Sequence, residues 1–510
     1  GDRREFLEAY LSWERAFKEH HLGATLKYNQ DSKKQTYDLG SDIKNSIARR
    51  NMGLAGRATY NYALRYFVDF NFGYNGSENF ATGHQFGFFP AYSVAWNLGG
   101  EKFVTKAMPW INMFKIRYSH GKVGNDNMGT RFPFLYSISG GAAGYNFGTN
   151  TRPNSFAGTH YTQVASPNVT WEIATKNDIG IDMTLFKERF SLTVDYFNEK
   201  RTGIYMVRNY LPDITGLESK PSANVGAVRS RGFDGNFSFR ERIGQVDFTM
   251  RGNITYSKNE ILEKDEENKV YSYQYERGYR VDQERGLIAL GLFKDYDDIR
   301  TSPKQNFGTY QPGDIKYADV NGDGVVDDGD RVAIGATRRP NLIYGLGFSA
   351  AWKGFDVNLH FQGAGKSTFP IYGKCVHAFK SEKWGNIIKG MLDNRYVDAE
   401  TAAKLGIKAN EDPNASYPRL SYGGNNNNQQ SSTFWLRDGR YLRLKNVDVG
   451  YTLPKSLVTK AHLSNLRIFV TGSNLITWSK FKYWDPESTQ PQGEEYPLTK
   501  SVTFGLNIEL

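Results

Sequence analysis

The sequence predicts an all-β membrane protein, the later part of one transmembrane antiparallel β-barrel, and three observations carry that reading. Apolar residues recur at every second position over many segments, the period of a strand whose two faces meet different surroundings. Connections between these segments alternate short and long along the chain, as when periplasmic turns occupy one rim of an outer-membrane barrel and extracellular loops the other. Aromatic residues reach 15% and glycine 52 of 510 residues, yet mean hydropathy is only −0.59. No run approaches the ~18 apolar residues of a membrane-crossing helix. A barrel tolerates low hydropathy because only alternate residues of each strand meet lipid.

The last segment shows the pattern most cleanly. Val502, Phe504, Leu506, Ile508 and Leu510 share one face, and Thr503, Gly505, Asn507 and Glu509 the other. Phe190 to Tyr196 and Phe355 to Gln362 alternate equally well, and Leu342, Tyr344, Leu346, Phe348, Ala350 and Trp352 face away from Gly345, Gly347, Ser349 and Ala351. Reading the chain this way places fourteen strands near 20–28, 51–60, 64–73, 87–97, 113–120, 171–186, 189–198, 230–239, 245–256, 342–353, 355–363, 440–451, 466–476 and 501–510. Asn61-Tyr62-Ala63, Lys187-Glu188, Arg240 to Gly244 and Lys353-Gly354 are short turns. The segments 121–170, 199–229, 257–341 and 364–439 are long and rich in Gly, Asn, Asp, Ser and Tyr. With a periplasmic C-terminus the last strand runs inward and the strand at 20–28 runs outward. That parity fits a barrel of about 22 strands with about eight upstream, and other even totals equally well. The start, Gly1-Asp2-Arg3-Arg4, has no Met and no leader and reads as the interior of a longer precursor. Residues 1–510 therefore form part of one barrel, and 257–341 is a long extracellular loop region.

The formal charge of +10 is spread through loops and turns without a nucleic-acid-reading motif, so nucleic acid is excluded as a partner. A solvated basic surface or attraction to anionic lipid headgroups accounts for it. Cys375 is the only cysteine, which excludes an internal disulfide and a cysteine metal site. Tyr60, Tyr62, Tyr66 and Phe67, and again Trp478, Phe481, Tyr483 and Trp484, cluster at strand ends. Interfacial girdles use such rings; ordinary core or turn packing is the alternative.

The sharpest motif runs from Asp319 to Asp330. It sets Asp319, Asn321, Asp323, Asp327 and Asp330 at positions one, three, five, nine and twelve of a calcium-type loop, with Gly324 at the sharp turn and the Val325 carbonyl at position seven. A hard cation such as Ca²⁺ takes six to eight oxygens, and this loop supplies them. Position twelve is Asp rather than Glu and no amphipathic helix follows, so the loop resembles the dockerin type and implies a structural site. No G-x-S-x-G, H-E-x-x-H or Walker A pattern occurs, and no enzyme is predicted. Tyr372, Trp384 and Trp435 are loop aromatics suited to stacking on sugar faces, or equally to packing.

Several segments resemble SusC/RagA-type TonB-dependent transporters. They are Gly56 to Tyr62 with Arg65-Tyr66, Gly87 to Trp96, Lys115 to Ser119 with Gly124-Asn125-Asp126, Thr170-Trp171-Glu172, Pro312 to Asp319, Tyr441 to Val447, Gly472 to Trp478 and Tyr496 to Lys500. They follow the family's order over nearly the whole chain. The resemblance implies a 22-stranded barrel with an N-terminal plug in a Gram-negative outer membrane. It also implies a SusD-like lipoprotein lid, energy from the TonB complex, and import of oligosaccharides or peptides. Plug and TonB-contact segments are not in this sequence, and Leu510 stands where the family carries an aromatic. A passive porin or adhesin, and a soluble glycan-binding protein with a dockerin-like loop, are the rival classes.

Overall fold

Strands form where alternation lets one pleat face turn to each side. In the computed structural model, which describes all residues except 1–2, 35–43, 45–46, 150–151, 218, 381–386, 489–491 and 510, fifteen such strands follow one another in chain order in the main sheet. They are β1 Arg3–Phe17, β2 His20–Lys34, β3 Arg49–Tyr62, β4 Tyr66–Ser77, β5 Phe86–Asn97, β6 Ile111–Asn125, β7 Glu172–Leu185, β8 Phe190–Val207, β9 Ser222–Ile243, β10 Val246–Glu263, β11 Leu342–Trp352, β12 Phe355–Gly365, β13 Tyr441–Thr452, β14 Asn465–Ser479 and β15 Ser501–Glu509. Registers are antiparallel, as where Trp13 faces Ala24 and Phe348 faces Leu359. All fourteen predicted strands are present. β1 is an addition, and Leu510 lies outside the described residues.

By its internal contacts the chain divides into two units, residues 1–235 with 258–268, and residues 236–257 with 269–510. In the first, Val68, Val94, Trp96, Ile116, Ile179 and Val194 are exposed on one face. The opposite face carries Arg117, which pairs with Asp182 at 2.7 Å and Asp195 at 2.9 Å. Its guanidinium crosses Gly180, where a Cβ would stand 2.7 Å from the Arg117 Cζ and 2.1 Å from an Asp195 oxygen. Only the bare backbone fits there. In the second unit Val502, Phe504, Leu506 and Ile508 are exposed. On the other face Arg467 crosses Gly450 in the same manner, pairing with Asp356 at 2.5 Å and with Asp448. Four large apolar side chains left in water along β15 would forgo roughly 6–12 kcal/mol of burial. Lipid on that face removes the penalty.

Short turns join the strands on one rim. Lys353 and Gly354 both have positive φ, +46° and +89°, the pair that a two-residue hairpin turn with the strands' own twist requires. Beside such turns some of the clustered rings meet: Tyr62 stacks on Tyr66 at 6.5 Å and Tyr66 on Trp96 at 6.3 Å. Phe67 does not join them. Its parity turns it to the other face, where the Lys115 ammonium lies 4.2 Å from its ring.

On the opposite rim of the second unit the long segments fold together. Gln283–Gly286 pairs with Val332–Thr337, Ala289–Leu292 with Ile315–Tyr317, and Thr368–Pro370 with Leu436–Asp438. Leu287, Ile315, Phe369, Ile371, Val376 and Trp435 form their core. Phe481 is buried in that core with Tyr483 and Trp484 packed on it, so of the second aromatic cluster only Trp478, exposed on β14, is left for an interfacial role.

Candidate functional site

The predicted cation loop sits against this outer core. Val325–Val326 pairs in parallel with Lys304–Gln305, and Val326 is buried in the core. Gly322 and Gly324 take φ of +75° and +86°, a left-handed path that residues with a Cβ resist. The Asp319 carboxylate accepts from the N–H groups of Gly322 (2.7 Å) and Gly324 (2.8 Å). Asn321 accepts from the N–H of Asp323, Asp323 from that of Val325 and Asp327 from that of Gly329. The ring of oxygens thus closes inward on its own backbone. Asp330 is fully buried and accepts from the N–H groups of Val320 (2.7 Å), Asn321 (3.2 Å) and Asp327 (2.8 Å). Position twelve is therefore the tie that closes the loop.

Carboxylate, amide and carbonyl oxygens are the ligands Ca²⁺ prefers, and an oxygen accepting one N–H retains a further lone pair. The donor set fits a hard cation. The six positions are brought into one loop, yet among the described residues no three acidic or histidine groups gather closely enough to share an ion. Burial and the Asp330 charge hold the nearby Tyr273 phenol above its ordinary range, and its hydroxyl donates to the Gly329 carbonyl at 2.8 Å.

Behind the loop lies a buried polar network. Asp314, fully buried, pairs with Arg419 at 2.9 Å and accepts from the Asn425 and Asn428 amides and the Gln311 N–H. Asn427 accepts from Gln305 at 2.6 Å, donates to the Ile315 carbonyl, and through its own carbonyl accepts from the Tyr317 hydroxyl. Buried polar groups are tolerated when each finds such partners. Gln305 therefore links the strand paired with the cation loop to the run Asn425 to Gln430.

The three aromatic candidates part company. Tyr372 is exposed beside this core. Trp435 is 2% exposed, its Nε1 donates to the Asn428 carbonyl at 2.7 Å, and Tyr417 and Phe434 pack edge-on against it. A ring so enclosed has no face for a ligand, and here packing prevails over stacking. Trp384 lies outside the described residues. Next to Trp435 is His377, buried with neither ring nitrogen hydrogen-bonded. Burial, with Lys380 adding to it, pushes its imidazole down to about 3. Burial pushes the neighbouring Tyr417 phenol up to about 12.

No family model matches the chain. A TonB-dependent receptor P3 of Formosa agariphila is 25% identical over 98% of this chain and 52% of its own length. The TonB-dependent receptor SusC of Bacteroides thetaiotaomicron is 23% identical over 93% of this chain and 45% of its own. Among solved structures, the RagAB peptide transporter superposes with a TM-score of 0.73 at 17% identity, covering 100% of this chain and 56% of that one. The chain spans about half the length of the curated relatives it matches. The resemblance in the motifs is borne out: along nearly its whole length the chain is similar to TonB-dependent receptors, SusC among them, and it has the fold of the RagAB barrel. Its named relatives are receptors and transporters, not enzymes.

Proposed function

We propose that the chain is the lipid-anchored wall and outer loop platform of an importer in a Gram-negative outer membrane. In this reading it passes oligosaccharides or peptides inward, works with a SusD-like lipoprotein lid and draws energy from the TonB complex. The observation that carries the reading is the asymmetry of the two rims. One ends in short turns such as Lys353-Gly354, while the long segments at the other share a buried core. A wall whose one end carries only turns and short helices has one elaborated end on which to receive a lid and a substrate. The peptide option draws on the RagAB likeness and the glycan option on the family resemblance of the motifs, and exposed Tyr372 is the aromatic contact offered to either.

The loop Asp319–Asp330 is the proposed Ca²⁺ site, with Asp319, Asn321, Asp323, Asp327 and Asp330 and the Val325 carbonyl as ligands. Bound Ca²⁺ would supply stiffness beside the lid. The chain's own share is to hold the loop closed through Asp330 and to seat it on Val326. Asp319→Ala with Asp323→Ala should lower lid association and make the outer loops protease-sensitive; both unchanged would contradict that role. For the importer itself, a deletion strain grown on defined glycans and peptides should lose one class of substrate. Uptake that continues after the inner-membrane proton gradient is collapsed would instead mark a passive pore.

A further inference from the structure

The first unit carries a feature on its lipid-facing side that import does not use. Between β4, β5 and β6, next to the short-turn rim, Tyr66, Val68, Val94, Trp96, Ile116 and Tyr118 line a concavity of about 630 Å³. Its walls are apolar and aromatic, and the same face continues into the exposed Phe70 and Tyr92.

The rim end of this groove is polar and held in place. Glu101 is buried and receives the Tyr66 hydroxyl at 2.6 Å, the Trp96 Nε1 at 3.1 Å and the Arg65 guanidinium at 3.2 Å. Those three donors satisfy its charge, and the two rings are fixed with their polar edges toward the rim. Glu101 is also the residue before a short helix, α1, Lys102–Ala107. The helix therefore starts next to the residue that holds Tyr66 and Trp96, at the rim end of the groove. Lys102 and Lys106, four residues apart, share one face of it. Neither makes an ion pair among the described residues. Phe103, Met108 and Trp110 around them are exposed as well. Two uncompensated ammonium groups at headgroup level, beside rings that end an apolar groove, match an anionic phosphate ester on an acyl chain.

We propose that this corner of the wall, the β4–β6 groove with Lys102 and Lys106 of α1, is a binding site for an anionic glycerophospholipid. The acyl chain lies along Val68, Val94 and Ile116, and the phosphate meets the two lysines. Glu101 is the positioning residue: it fixes Tyr66 and Trp96 and, through them, where α1 begins.

The test uses the full-length transporter in mixed micelles, with dioleoylphosphatidylglycerol or dioleoylphosphatidylcholine as the probe and native mass spectrometry counting retained lipid. The protein should retain phosphatidylglycerol in preference to phosphatidylcholine. Lys102→Glu with Lys106→Glu should cut that retention about tenfold with heat-resistant electrophoretic mobility unchanged. Lys187→Glu, on a neighbouring rim turn outside the groove, should leave it as it was. Equal retention of the two lipids, full retention by the double variant, or an equal loss with Lys187→Glu would each overturn the proposal.

Discussion

Phe504 and Phe369 are the same side chain with opposite fates: the first is 78% exposed on β15, the second 0% exposed under the outer loops. Both belong to the second unit. The wall turns its apolar residues outward because its solvent is lipid, and it keeps Arg467, Asp356 and Asp448 on the other face. The outer loops stand in water, so they turn Phe369, Ile371 and Trp435 inward and hide even their asparagines behind hydrogen bonds. One chain obeys one rule of burial in two solvents. The difference between the regions can therefore be broken by substitutions that exchange their rules.

The largest effect is expected at the buried ring. Phe369→Ala should destabilise the outer loops by about 3–5 kcal/mol, read as lost amide protection in segments 283–337 and 364–439 by hydrogen exchange. Next comes a charge put to lipid: Leu506→Arg should cost roughly 2–4 kcal/mol in a bilayer-refolding titration, whereas Asn507→Arg on the opposite face should cost far less. Equal costs would erase the distinction of faces.

A third effect depends on pH. His377 is depressed to about 3 in the folded state against an ordinary imidazole near 6.5. Below that ordinary value the unfolded chain binds a proton that the folded one does not. The stability is thus complete above about pH 6.5 and falls with pH toward 3, by about 2 kcal/mol at pH 5. His377→Leu should remove that slope from the outer-loop unfolding curve without weakening the wall. The smallest effect concerns a turn: Gly354→Ala, at φ +89° and with its Cβ 2.6 Å from the Thr452 carbonyl oxygen, should cost about 1–2 kcal/mol in the same refolding titration.

The same contrast explains what was legible in the sequence. The wall was, because lipid enforces a period of two that survives in every strand from His20–Lys34 to Ser501–Glu509. Predicted ends at the short turns fall within four residues, the largest miss being 239 against Ile243. Three toward the long connections stop well short: 189–198 runs on to Val207, 230–239 begins at Ser222 and 245–256 continues to Glu263. Past the membrane neither face meets lipid, and the alternation fades while the hydrogen-bonded ladder goes on. β1 escaped because Phe6, Leu7, Tyr10 and Leu11 follow a spacing closer to a helix's than a strand's.

The outer core was the illegible part. Leu287, Ile315, Phe369 and Trp435 come from segments far apart in sequence, each too short to show a period, and nothing local marks which ring turns inward. Asn425 to Gln430 reads as a solvated polar run, yet Asn427 and Asn428 are buried. The loop Asp319 to Asp330 was legible as a spacing of oxygen side chains. That Asp330 closes it through three backbone N–H groups appears only in the fold.

The central claim is that one face of β15 meets lipid. In a Cys375→Ser background, nitroxides placed in turn by cysteine substitution at Val502, Thr503, Phe504, Gly505, Leu506 and Asn507 of the bilayer-reconstituted full-length transporter should alternate. Dissolved oxygen should reach the even positions and a water-soluble nickel chelate the odd ones. Accessibility to the chelate at all six positions, or no period of two, would contradict the account.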